Sequence, residues 1–186
     1  DGSHVLFRSA REYPSRAEKA YLVSIDGGMP TALPLDRAGL ASLSPDGGWL
    51  AFNRQTREDR TWKRYQGGKA QDIWLANLAT SEFYRITDWA GTDNYPMWVG
   101  DRIYFTSDRN HGTLNVFEYA TQTGEVRALT DYADYDVKYP SAGPGWLVYQ
   151  YAESLHLLDL ATGVVSRVPV QVPTDSVQMR ASLEGV

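Results

Sequence analysis

A chain of 186 residues with 42% hydrophobic and 12% aromatic residues has the material for a folded core, and its composition is not that of a disordered segment. Its formal net charge of -5 argues against a broad nucleic-acid surface, which needs clustered and unopposed Lys and Arg. The absence of cysteine excludes disulfides, thiolate nucleophiles and cysteine-based zinc sites, and no run approaches the roughly eighteen apolar residues of a membrane-spanning helix, so the expectation is a cytoplasmic protein that binds neither nucleic acid nor membrane.

Taken in chain order, the elements repeat. A strand "HVLFRS" (4 to 9) precedes the segment "YLVSIDGGMPTALPL", which begins at Tyr21. "LASLS", "PDGG" and the strand "GWLAFNR" (48 to 54) then precede "IWLANLATSEFYRIT" from Ile73. "YPMW", "VGD" and "RIYFTSD" (102 to 108) precede "VFEYATQTGEVRALT" from Val116, and "YPSA", "GPG" and "GWLVYQY" (145 to 151) precede "LHLLDLATGVVSRVP" from Leu155. The four quoted fifteen-residue segments align without a gap. Each opens on an apolar strand-forming run, turns on DGG, LAT, TQT or LAT, and closes on a second short strand, which predicts a β-hairpin.

The strands before the hairpins anchor on Phe7, Phe52, Phe105 and Tyr149, at spacings of 45, 53 and 44 residues. Four-stranded propeller blades repeat at about 40 to 50 residues. The predicted fold is therefore all-β, a β-propeller fragment of about four blades, each a four-stranded antiparallel sheet, because a small twisted sheet buries both faces only when stacked between others. The blades divide as 1–38, 39–92, 93–134 and 135–172, with 173–186 a linker or the start of the next unit. The first blade is expected to be incomplete, since "DGS" stands where the second unit reads "SPDGG", and further blades are expected on its N-terminal side. Trp49, Trp74, Phe117 and Trp146 are read as blade-to-blade core.

Few residues suggest chemistry. His4, His111 and His156 each stand alone, with no HExxH spacing and no G-x-S-x-G elbow, so no catalytic residue, metal site or cofactor is expected in this chain. Acidic residues gather in two equivalent connections, "TDWAGTDNYP" (87 to 96) and "TDYADYDVKYP" (130 to 140). Asp88, Asp93, Asp131, Asp134 and Asp136 form either a ring of carboxylates at one mouth of an axial channel or ordinary turn chemistry, in which Asp bonds nearby backbone. "SPDG" at 44 to 47 reads as a turn.

The segment "DRTWKRYQGGKAQDIW" (59 to 74) overlaps a long basic insertion, at 55 to 70, between the second and third strands of its blade. "QGGKAQ" lacks the phosphate-loop spacing and leads into a strand, so no helix terminus is on hand for a phosphate. Arg60, Lys63, Arg64 and Lys69, beside Trp62 and Tyr65, either receive an anionic group such as a peptide carboxylate or pack on a neighbouring blade with their charges paired to Glu58, Asp59 and Asp72.

"SPDGGWLAFNR", "TWKRYQGGKAQDIWL", "TDWAGTDNYPMWVGDRIYFTSDR" and "DYDVKYP" together resemble the third to sixth blades of the six-bladed N-terminal propeller of the tricorn protease family, from Asp1 to about Val172. The resemblance implies the non-catalytic propeller of a self-compartmentalising, homo-hexameric, cytosolic serine peptidase that degrades oligopeptides. It further implies that the propeller guides peptides through a channel, while the catalytic Ser and His lie in C-terminal domains and correspond to no position here. Two alternatives stay open: a TolB-type interaction propeller with no attached enzyme, and a propeller enzyme working from Asp93 and Asp136.

Overall fold

The computed structural model describes residues 2–12, 17–56, 58, 63–171 and 173. Among them there is no helix, and fifteen strands build four antiparallel sheets. The first sheet holds three strands, β1 (His4–Ser9), β2 (Lys19–Ser24) and β3 (Thr31–Ala32). The second holds β4 (Ala41–Leu43), β5 (Trp49–Asn53), β6 (Ile73–Asn77) and β7 (Phe83–Arg85). In the third are β8 (Asp93–Val99), β9 (Arg102–Ser107), β10 (Asn115–Ala120) and β11 (Val126–Ala128). The fourth consists of β12 (Val137–Gly143), β13 (Trp146–Tyr151), β14 (Ser154–Asp159) and β15 (Val165–Val168). Strands follow one another in sequence order across each sheet, the up-and-down meander of a propeller blade.

The repeat read from the sequence is also a repeat of register. Each anchor stands opposite an aromatic residue of the next strand: Phe7 opposite Tyr21, Phe52 opposite Trp74, Phe105 opposite Phe117 and Tyr149 opposite His156. Cross-strand aromatic pairs of this kind stabilise a sheet locally. In three sheets an arginine two or four residues past the anchor lies over the aromatic face: Arg11 at 4.9 Å from the Tyr21 ring centre, Arg54 at 5.3 Å from Trp74 and Arg109 at 5.0 Å from Phe117.

Alternation along the strands sends one apolar set to each face, and adjacent sheets share it. Leu6, Ala20 and Leu22 of the first sheet meet Leu50, Phe52 and Ala76 of the second. Ala51, Ile73 and Leu75 on the other side of the second meet Ile103, Phe105 and Phe117 of the third. Met97, Tyr104 and Val116 then meet Leu147, Tyr149 and Leu158 of the fourth. The core is thus three interfaces between blades, as stacking requires. Phe117 is buried there, and Trp49 and Trp74 pack at its margins. Trp146 does not: it opens β13 at the end of the sheet and is 42% exposed.

The turns are local chemistry. In "SPDG", the Asp46 carboxylate accepts from the Ser44 hydroxyl and the Gly48 amide at 3.0 Å, while Ser44 Oγ accepts from Trp49 N at 2.9 Å. These bonds, the Ser44 hydroxyl first, hold the Asp46 carboxyl below its ordinary pKa. In the hairpins, Asn77 and Asp159 each accept two backbone amides of the LAT turn. Ser81, Gly124 and Gly163 close three of the hairpins with φ of 62°, 74° and 72°, donating back to the residue four before.

Candidate functional site

The first strands of three blades, β4, β8 and β12, each bond to a single neighbour and leave their other edge on a common groove of about 600 Å³. Ala41, Pro96 and Pro140 occupy equivalent positions on its wall, followed by Ser42, Met97 and Ser141 and preceded on the wall by Leu40 and Tyr95; Tyr139, before Pro140, is exposed. Among the described residues no Asp, Glu, Lys or Arg lines it. This groove is the axial side of the propeller, and its lining is neutral and mostly apolar.

At the rim where these strands begin, the connections between blades are held by buried amides. Asn115 is fully buried; its Oδ1 accepts from Tyr132 N at 2.7 Å and Thr130 Oγ1 at 2.9 Å, and its Nδ2 donates to Tyr132 O at 2.9 Å. Asn53 Nδ2 likewise donates to Asp72 O at 2.8 Å and Asp93 O at 3.0 Å. In the two Thr-Asp pairs it is the threonine that bonds backbone, Thr87 Oγ1 accepting from Ile73 N and Thr130 Oγ1 from Val116 N. The aspartates point outward.

The five carboxylates singled out in the sequence have separate partners. Asp88 pairs with Arg85 at 2.9 Å on the surface. Asp131 meets His111 Nε2 at 2.9 Å. Asp134 is exposed. Asp136 accepts from Leu114 N at 3.1 Å and pairs with Lys63 at 2.9 Å. Asp93 is fully buried, and Arg109 donates one nitrogen to both of its oxygens at 3.0 Å. Burial pushes the Asp93 carboxyl up from its ordinary pKa, with the Arg109 charge opposing that rise. Asp72 is raised for the same first reason, against Arg85, and its Oδ1 has no hydrogen-bond partner among the described residues.

Arg60 and Trp62 lie outside the described residues, as does Asp59. The remainder of the insertion reaches from the second blade over the third. Lys63 pairs with Asp136 in the connection between the third and fourth blades, not with Glu58 or Asp72. Glu58 pairs instead with Arg8 of the first sheet at 2.9 Å, and Asp72 with Arg85 at 3.5 Å. Arg64 packs on Gly112 so closely that a Cβ there would stand 2.6 Å from the guanidinium Nε. Lys69 is exposed, with no ion pair among the described residues. The structure therefore joins one candidate cation to one candidate carboxylate and keeps the others apart. Sequence reading missed Arg109 as the partner of Asp93, because the two are 16 residues apart with no motif to connect them. It also passed over Pro96 and Pro140 as groove wall, although the repeated "YP" was a visible signal.

Among the described residues no group of three or more His, Cys, Asp or Glu side chains is arranged to hold a metal ion.

The family model described as the tricorn protease N-terminal beta propeller domain matches residues 1–164. Tricorn protease homolog 1 of Streptomyces coelicolor is 30% identical over 168 residues, covering 90% of this chain and 16% of its own. The tricorn protease homolog of Saccharolobus solfataricus is 25% identical over 157 residues, covering 84% of this chain and 14% of its own. The chain thus spans about one sixth or less of the length of these relatives. Among solved structures, the tricorn protease superposes with a TM-score of 0.62 at 18% identity, over 94% of this chain and 22% of its own. TolB from Acinetobacter baumannii does so at 0.68 and 20%, over 89% and 40%. At these identities both structural likenesses speak to the fold.

Proposed function

Because the chain belongs to the family of tricorn protease N-terminal β-propeller domains, we propose that it is the non-catalytic propeller portion of a tricorn-type serine peptidase, whose axial groove guides oligopeptide substrate or product. The match across residues 1–164 carries this reading, and the uncharged groove between β4, β8 and β12 supports it, since a neutral wall admits peptides of many sequences. The full-length parent is a cytoplasmic homo-hexamer with peptides and its own further domains as partners. In this reading Arg60, Lys63, Arg64 and Lys69 receive anionic groups of a passing peptide.

The groove is tested in the full-length protein. Ser141→Trp, at an exposed position of the wall, is expected to lower oligopeptide turnover about tenfold, or about 1.4 kcal/mol on the barrier, and to affect a single-residue fluorogenic substrate less. Unchanged oligopeptide turnover would sink the channel reading. The rim is tested by Lys63→Ala combined with Arg64→Ala. Turnover should fall by no more than about threefold, the scale of an exposed ionic contact, with the thermal midpoint unchanged. Unfolding of the double variant would make the insertion chiefly a strut between blades.

A further inference from the structure

The inner edges of β8 and β12 carry the same irregularity. Their pairing with β9 and β13 shifts register between Asn94 and Met97 and between Lys138 and Ser141. Within each shift stands a tyrosine in the left-handed region, Tyr95 at φ 56° and Tyr139 at φ 49°, followed by a proline. A left-handed tyrosine is uncommon, and two at one repeat position, each directly before a proline of the groove wall, mark a built feature.

Its consequence follows from what a bare strand edge does. An inner strand with one neighbour offers a row of N–H and C=O groups, and an extended peptide binds such a row as an added strand. Proline has no N–H to offer, and a bulge turns the flanking groups out of line. Beyond the β8 bulge, the next donor is already engaged, since Trp98 N donates to Ser42 Oγ of β4 at 2.9 Å. Among the described residues no charged side chain on the wall is there to hold a peptide by other means. Resting on the channel reading above, we infer that the Tyr95-Pro96 and Tyr139-Pro140 bulges keep the axial wall from capturing a passing peptide as an extra β-strand, so that Pro96 and Pro140 favour transit over retention.

The test places Pro96→Val and Pro140→Val together in the full-length protein and measures binding of a fluorescent octapeptide of alternating Val and Thr by stopped-flow anisotropy, before cleavage. Two restored donors are expected to tighten binding about tenfold through slower release. A probe N-methylated at alternate residues, which cannot pair along one edge, should gain nothing. Equal affinity of wild type and variant for the unmethylated probe overturns the inference, as does an equal gain for both probes. Should the double variant fail to fold, Pro140→Ala alone, beside the exposed Tyr139, is read the same way. Anisotropy reports strand capture whether or not the groove carries substrate, so loss of the channel reading in the Ser141→Trp experiment is scored separately.

Discussion

Replacing Asp93 with alanine is expected to destabilise the protein by about 3 kcal/mol in urea unfolding, at the lower end of the cost of breaking a buried ion pair. The carboxylate is fully buried and held by Arg109 at 3.0 Å to both oxygens, while Arg109 itself is bonded through Nε to Ser107 Oγ at 2.9 Å. Alanine leaves that guanidinium stacked over Phe105 and Phe117 with no counter-charge. Its 22% side-chain exposure gives it some water, which keeps the cost at the low end of that range. The backbone of Asp93 also bridges blades, its N–H donating to Gln71 O and its carbonyl accepting from Asn53 Nδ2. Asn at this position keeps an acceptor oxygen and should cost less.

The same substitution separates charge from shape through pH. Burial raises the Asp93 pKa above its ordinary value of 3.8 despite Arg109. An acid raised in the fold holds its proton more tightly there than in the unfolded chain. Its contribution to stability is therefore full below the unfolded value and declines as pH rises through the window between that value and the raised one. Asp93→Asn removes this titration, so the stability of wild type relative to Asp93→Asn should fall across that window. A difference that grows with pH instead would mean that the Arg109 charge outweighs burial.

Phe105→Ala is expected to cost about 3 to 5 kcal/mol, the range for emptying an aromatic site in a core. Phe105 is fully buried, faces Phe117 with ring centres 6.0 Å apart, and closes the interface against Ala51, Ile73 and Leu75 of the preceding blade. Two blades thus lose contact with one truncation. Phe7→Ala, at the same register of the three-stranded sheet, removes an anchor that is only half-buried and should cost less. Equal costs at the two positions would show that the anchors act within their sheets and not between them.

That pairing of anchors explains how far the sequence carried. The period of Phe7, Phe52, Phe105 and Tyr149 and the gapless hairpin alignment were legible because blades are built from local antiparallel neighbours, whose alternation and turns are written in consecutive residues. The sites were less legible. "TDWAGTDNYP" and "TDYADYDVKYP" look alike as strings, yet Asp93 is buried against Arg109 while the corresponding β12 position is Val137. Lys63 lies beside Glu58 and Asp72 in sequence but finds Asp136, 73 residues on, because the insertion extends over the next blade and not along its own.

By itself the sequence determined the all-β class, the blade period, the turn chemistry of "SPDG" and "LAT", and the absence of cysteine chemistry, all of which depend on residue type and spacing. Only the tertiary structure decided which charges meet, that the axial wall is neutral, and that Pro96 and Pro140, each after a left-handed tyrosine, both stand on it. Stacking sheets about an axis brings together residues more than forty positions apart, and no local pattern records what those residues face.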